Sequence, residues 1–234
     1  MQPVYRHEIK SIPASIMCLM SERAKSGAAY EAIERMIVMQ ELEPGVLVSE
    51  AQLMQLTHLG RTPVREAVQR LARARMVEVH PNRGVLIPSI SVEAQLKRLE
   101  LRRVLEALAV RVACKRARTQ EREEMRAMVD VLEAGQLDLA SYMGTVRDTH
   151  DLIVRATDNE YFADTMAPLQ GLSRRFWLAH VVDEAGDMRT GSQLHVAILK
   201  AILDRDPEAA ERASLALNDY LTEFAYGTIR RRAV

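Results

Sequence analysis

The sequence predicts a mainly α protein in two parts: a small N-terminal unit of three helices closed by a β-hairpin, then an all-α bundle of six or seven helices. Three observations predict it. Apolar residues recur at helical spacing over most of the chain. Two short β-prone runs, 76–79 and 85–87, flank a Pro-Asn-Arg-Gly turn. After IPSIS at 87–91 the β signal vanishes, which sets domains at 27–90 and 91–234 behind a leader at 1–26. At 234 residues, 48% of them hydrophobic, the chain can bury two modest cores.

Within the leader, IPASIMCLM is short and closely followed by Glu22, Arg23 and Lys25, and no later run of about 18 apolar residues exists to span a membrane. Cys18 and Cys114 stand far apart, unlike a disulfide framework, so a reducing cytoplasm is expected. Ile33, Met36, Ile37 and Met39 mark a first helix over 30–39, after a weakly structured leader ending at Gly27. Pro44-Gly45 forces a turn. Ser49 can then cap a second helix reaching about Leu56, with Gln52 closing a capping box. Pro63 suits the first helical position of a third helix starting near Thr62. Val64, Ala67, Val68 and Leu71 fall on one face of that helix, leaving Arg65, Gln69, Arg70 and Arg73 off it.

The third helix and hairpin are locally cationic. Lys plus Arg equals Asp plus Glu at 32 each over the chain, yet six arginines and two acids lie between Gly60 and Arg83. A capped helix, a cationic helix and a hairpin with arginine at its tip are the order of a winged helix-turn-helix, so double-stranded DNA is the expected anion. From 91 onward, 21 basic residues meet 23 acidic ones, and that part is expected to sense or dimerise instead. Its breaks are predicted near 118–119, Gly135, 158–159, Gly171, 184–191 and 206–207.

LEPGVLVSEAQL, GRTPVREAVQRLARARMV and PNRGVLIP resemble the GntR-type regulators, with Gly60 where the family usually has Ser. That resemblance implies that Arg61, Thr62 and Arg65 lie at the groove end of the third helix, with Arg83 and Gly84 at the wing tip. Arg35 of the first helix is a further phosphate candidate. Arg70, Arg73 and Arg75 are expected to face solvent or the DNA backbone. LRRVLEALAVRVA at 101–113, HDLIVRATDN at 150–159 and QLHVAILKAILDRDPEAA at 193–210 resemble the helical effector domain of the FadR branch, the FCD domain.

In that branch many members hold a divalent metal through an Asp four residues before a His, a second His, and a third in the last helix. Here His150 and His195 stand at the first two histidine positions, Val146 at that of the Asp, and the last helix offers Leu217, Asn218 and Asp219. Two expectations follow: a metal (Zn, Ni or Mn) on His150 and His195, completed by an oxygen of Asn218 or Asp219, or an effector pocket or hydrogen-bonded core around the same histidines. Arg102 is expected to clamp an effector carboxylate or to pair with a bundle glutamate. Arg174, Arg175 and Trp177 are further effector-side candidates.

The reading is a regulator, expected to be a repressor, that binds an inverted repeat as a homodimer and answers to a small organic acid. The rival is a metal-dependent enzyme on His150 and His195 with the winged unit as an interaction module. No HExxH pair, GxSxG elbow or Gly-rich phosphate loop supports it.

Overall fold

The computed structural model describes residues 14–232. The winged unit contains α1 (Ala14–Val38), β1 (Leu47–Val48), α2 (Glu50–Thr57), α3 (Arg61–Arg73), β2 (Glu78–His80) and β3 (Gly84–Leu86). The bundle contains α4 (Val92–Arg116), α5 (Thr119–Ala134), α6 (Leu139–Arg155), α7 (Glu160–His180), α8 (Glu184–Leu203) and α9 (Pro207–Arg232).

Helix α1 crosses the 26/27 boundary, so the leader is not unstructured from Ala14 onward; residues 1–13 lie outside the described residues. Gly27, at a cost of roughly 1 kcal/mol, is too weak a breaker to stop a helix whose later turns are pinned by Ile33 and Ile37, both essentially fully buried. The capping box at α2 forms as the spacing predicts: Gln52 N–H donates to Ser49 Oγ at 3.2 Å and Ser49 N–H to Gln52 Oε1 at 2.9 Å. Helix α3 starts at Arg61 on Gly60, so Pro63 sits third, where its missing N–H would still be unpaired.

The hairpin is one edge of a three-stranded antiparallel sheet in the order β1-β3-β2, with Leu47 opposite Leu86 and Val48 opposite Val85. Strand β1 is two residues long, too short for a period-2 pattern to reveal. At the turn, Asn82 and Gly84 take φ of 61° and 126°. A Cβ on Gly84 would stand 2.8 Å from the Val48 carbonyl oxygen, so β1 and the wing approach closely only because this residue is glycine.

Predicted breaks at 118–119, Gly135, 158–159 and 206–207 coincide with helix ends. Gly171 does not: it lies inside α7. Its Cβ would run into Met76 Cε and stand 2.8 Å from Glu34 Oε1, so this glycine marks where α7 docks on the winged unit. The break expected at 184–191 lies earlier, where Asp183 accepts Gly186 N–H at 3.0 Å and caps α8. Leu172 packs against the winged core of Ile33, Leu53, Val68 and Met76. Arg174 Nη2 donates to Glu34 Oε1 at 2.9 Å, an ion pair whose side chains are 9% and 10% exposed.

Gly84→Ala should therefore cost about 1–3 kcal/mol, because both its φ and the Val48 carbonyl oppose a side chain. Urea unfolding monitored by tryptophan fluorescence and circular dichroism should show a lower midpoint; an unchanged midpoint would contradict the close approach.

Candidate functional site

Two candidate surfaces emerge, one on the winged unit and one inside the bundle. Helix α3 buries Val64, Ala67, Val68 and Leu71 and presents Arg61 and Arg65 at its N-terminal end, their side chains 73% and 60% exposed. Both stand near Glu50 of α2, at 3.9 and 3.6 Å, with Thr62 exposed beside them. Exposed ion pairs contribute only about 0–1 kcal/mol, so Glu50 orients the arginines without tying them up. Arg83 is exposed on the wing turn, next to Gly84. Arg35 is engaged with Glu41 at 2.6 Å, and a phosphate there must displace that carboxylate. Arg70 stacks on Tyr30 of α1, 4.3 Å from the ring centroid, a packing contact rather than a free cation.

The second site is a cavity of about 40 Å³ enclosed by α4, α6, α7, α8 and α9. Arg102, Tyr142, His150, Ser173, Arg174 and His195 give it polar walls, and Val146, Trp177 and Leu217 line the apolar side. Tyr142, Val146 and His150 reach it because spacing of four residues puts them on one face of α6. His195 Nδ1 lies 2.7 Å from the Gly191 carbonyl oxygen, and its Nε2 lies 3.3 Å from His150 Nε2. A carbonyl can only accept, so His195 carries its proton on Nδ1. His150 Nε2–H must then donate to His195 Nε2. This leaves His150 Nδ1 as a bare acceptor, buried and without a partner among the described residues. Burial, and then the neighbouring His195, hold the His150 pKa well below its ordinary value; burial also lowers that of His195.

A divalent metal does not fit this donor set. The two imidazoles hydrogen-bond to each other, Val146 lines the wall where an acid would be needed, and the last helix contributes Leu217, Tyr220 and Leu221, none of them a histidine or an acid. Asn218 donates to the Leu99 carbonyl at 3.2 Å, while Asp219 pairs with Arg103 outside. Among the described residues no cluster of three His, Cys, Asp or Glu forms, whereas a protein metal site normally supplies three or four ligands.

Arg102 lines the cavity but is held by Glu106, whose Oε1 accepts from Arg102 Nε at 3.0 Å, Arg102 Nη2 at 2.9 Å and Gln170 Nε2 at 3.0 Å. Arg175 is placed elsewhere: one residue further along α7 turns it about 100° from Arg174, and it donates to the Pro88 carbonyl at 2.7 Å in the interdomain linker. Arg174, with Ser173 and Trp177, is the α7 residue on the cavity wall. Tyr142 and Ser173 were not singled out by sequence. The i, i+4, i+8 row ending at His150 is the signal that finds Tyr142; Ser173 has none.

Residues 25–87 match the model for "Bacterial regulatory proteins, gntR family" and residues 97–219 the FCD domain. The "Nta operon transcriptional regulator" of Aminobacter aminovorans is 27% identical over 182 residues, covering 77% of this chain and 85% of that protein. The "HTH-type transcriptional repressor NanR" of Klebsiella aerogenes is 25% identical over 219 residues, covering 83% and 82%. Among solved structures, "E. coli McbR/YncC" superposes with a TM-score of 0.75 at 17% identity, over 88% of this chain and 98% of that one. The matched family is one of regulatory proteins and the Aminobacter and Klebsiella relatives are transcription regulators by name, which removes the enzyme reading of His150 and His195.

The depressed histidine pKa values have a fixed sign. An unfolded imidazole titrates near 6.5, so below that pH the unfolded chain binds more protons and the folded state loses stability. Thermal or urea unfolding should show stability falling on acidification below about 6.5, by up to about 1.4 kcal/mol per pH unit per histidine. His150→Gln/His195→Gln should flatten that slope. A slope unchanged in the double variant would contradict the neutral pair, and a melting temperature lowered by EDTA would contradict the metal-free donor set.

Proposed function

The chain belongs to the GntR family of bacterial transcription regulators and carries its FCD domain, and from that premise we propose a repressor that binds an inverted repeat as a homodimer and is released by a small carboxylate in the bundle cavity. The observation that carries this reading is Arg174. It lines the cavity and is tied to Glu34 on the first helix of the winged unit, so one guanidinium belongs to both parts.

On DNA, the N-terminal end of α3 enters the major groove. Arg61 and Arg65 leave Glu50 for guanine O6 and N7, while the Thr62 hydroxyl and the Gly84 N–H suit phosphate oxygens. Arg83 positions the wing against the backbone, and Arg35 adds a phosphate contact by exchanging Glu41. In the cavity, Arg174 takes the effector carboxylate, Tyr142 offers its hydroxyl, and Ser173 Oγ, whose own proton goes to Gln95 Oε1 at 3.2 Å, and the bare His150 Nδ1 accept from a ligand O–H or N–H. That combination favours a small carboxylate carrying a hydroxyl or amino group. Once the anion takes Arg174, Glu34 loses its buried partner and the placement of the winged unit shifts by the ligand's differential affinity for the two arrangements.

Dimerisation is supported by a row on α4: Leu101, Val104 and Leu108 are 57%, 68% and 51% exposed at helical spacing. Two copies packed antiparallel bring Leu101 against Leu108 about a two-fold axis near Val104, the self-complementary geometry an inverted repeat requires.

Selection of duplexes from a random pool by the full chain should yield a two-fold symmetric site whose binding weakens steeply with salt. Arg65→Ala should cost about 1–3 kcal/mol on that site and relax preference at one position per half-site, whereas Arg83→Ala should weaken all duplexes alike. Val104→Glu should shift sedimentation to the monomer and lower site affinity. An asymmetric site, or uniform loss for Arg65→Ala, would contradict the reading.

A further inference from the structure

The cations that DNA and the inner cavity leave unused converge on one cleft. Between the winged unit and the bundle lies a hollow of about 580 Å³, within the size range of small-molecule sites. Arg73 lines it from the far end of α3 and Arg75 from the turn that follows, Lys97 and Arg98 from α4, and Arg175 from α7. No carboxylate is among its lining residues. Among the described residues Lys97 alone of these cations has an acid, Glu93 on the surface at 2.7 Å.

Arg175 is 3% exposed, and its one hydrogen bond among the described residues goes to the neutral Pro88 carbonyl; its Nε is buried without a partner. Among the described residues Arg98 has only the Gln95 amide oxygen, at 3.2 Å. Burial, with Arg102 and Arg175 nearby, lowers its pKa to about 10, and no acid offsets them. A buried guanidinium and a half-buried one facing a common space without a counter-charge are costly, and an anion in that space reduces the cost.

We infer that this cleft binds a small organic phosphate, the phosphoryl group held by Arg98 and Arg175 with Arg73 or Arg75 closing from the winged unit. Donors arriving from three elements match a tetrahedral dianion better than a planar carboxylate, which one guanidinium satisfies. The organic portion lies on Leu169 and Leu172, which line the same hollow. DNA phosphates are the other source of this chemistry. Against them, Arg73 lies twelve residues from Arg61, about 18 Å along the α3 axis from the end that presents Arg61 and Arg65. The site is separate from the inner cavity and stands whether or not the chain represses transcription.

The test is calorimetric titration of the full chain, without DNA, with sodium pyrophosphate and with ribose 5-phosphate at an ionic strength held constant by chloride. Saturable binding is expected, accompanied by a raised melting temperature. Arg73→Gln/Arg75→Gln, both exposed and so safe for the fold, and Arg98→Gln should each weaken it by about tenfold or more. Arg118→Gln, on the surface at the start of α5, should change nothing. The inference is overturned if neither probe binds, if binding survives both cleft variants, or if Arg118→Gln weakens it equally. It is also overturned if the cleft variants leave the probes unaffected but weaken binding to every duplex, which would give these cations to the DNA backbone.

Discussion

The ion pair between Arg174 and Glu34 is the constraint on which the arrangement depends. Its partners are 140 residues apart and about nine-tenths buried, joining the two parts of the chain at one point. Removing one partner of such a pair costs about 3–5 kcal/mol, because the other is left charged and unpaired. The exposed pair of Arg35 with Glu41 contributes about 0–1 kcal/mol and constrains nothing comparable. Arg174 must keep an anion beside it, and the geometry offers two places for one: Glu34 and the cavity.

Helix α7 makes this possible by serving two neighbours with two faces. Ser173, Arg174 and Trp177 turn toward the cavity, while Thr165, Pro168, Leu172 and Arg175 turn toward the interdomain cleft. Gly171 lets the winged unit come close enough for Glu34 to reach Arg174. Glu34 stands on α1 between Ile33 and the turn carrying Ile37, and both isoleucines pack in the same core as Val68 and Leu71 of α3. A change at Glu34 is therefore delivered to the helix that presents Arg61 and Arg65, through a close-packed core that moves as a unit.

Much of this was legible in the sequence where the signal is local. The Ser49–Gln52 box, the apolar stripe of α3 and the Asn82–Gly84 turn each follow from spacing over a few residues, whereas the histidines on α6 and α8 are marked by the resemblance of their segments to the FCD domain. What was not legible depends on tertiary contact. Gly171 reads as a helix break but is a docking notch. Arg174 and Arg175 are indistinguishable as neighbours in sequence until the helix turns one to the cavity and the other to the linker. Glu34 carries no local mark at all, since its partner lies in the other domain. The length of α1 is not legible either, because Gly27 and the charged Glu22, Arg23 and Lys25 before it argue for a break that propensity alone does not enforce.

The most direct test of the coupling is the affinity of the full chain for its selected duplex, measured with and without a saturating small hydroxycarboxylate in the wild type and in Glu34→Gln. If the anion competes with Glu34 for Arg174, the wild type should lose duplex affinity by about five- to 150-fold, the usual span of allosteric coupling, and the variant should bind the carboxylate more tightly with most of that loss abolished. The same loss in both proteins, with unchanged carboxylate affinity, would contradict the account.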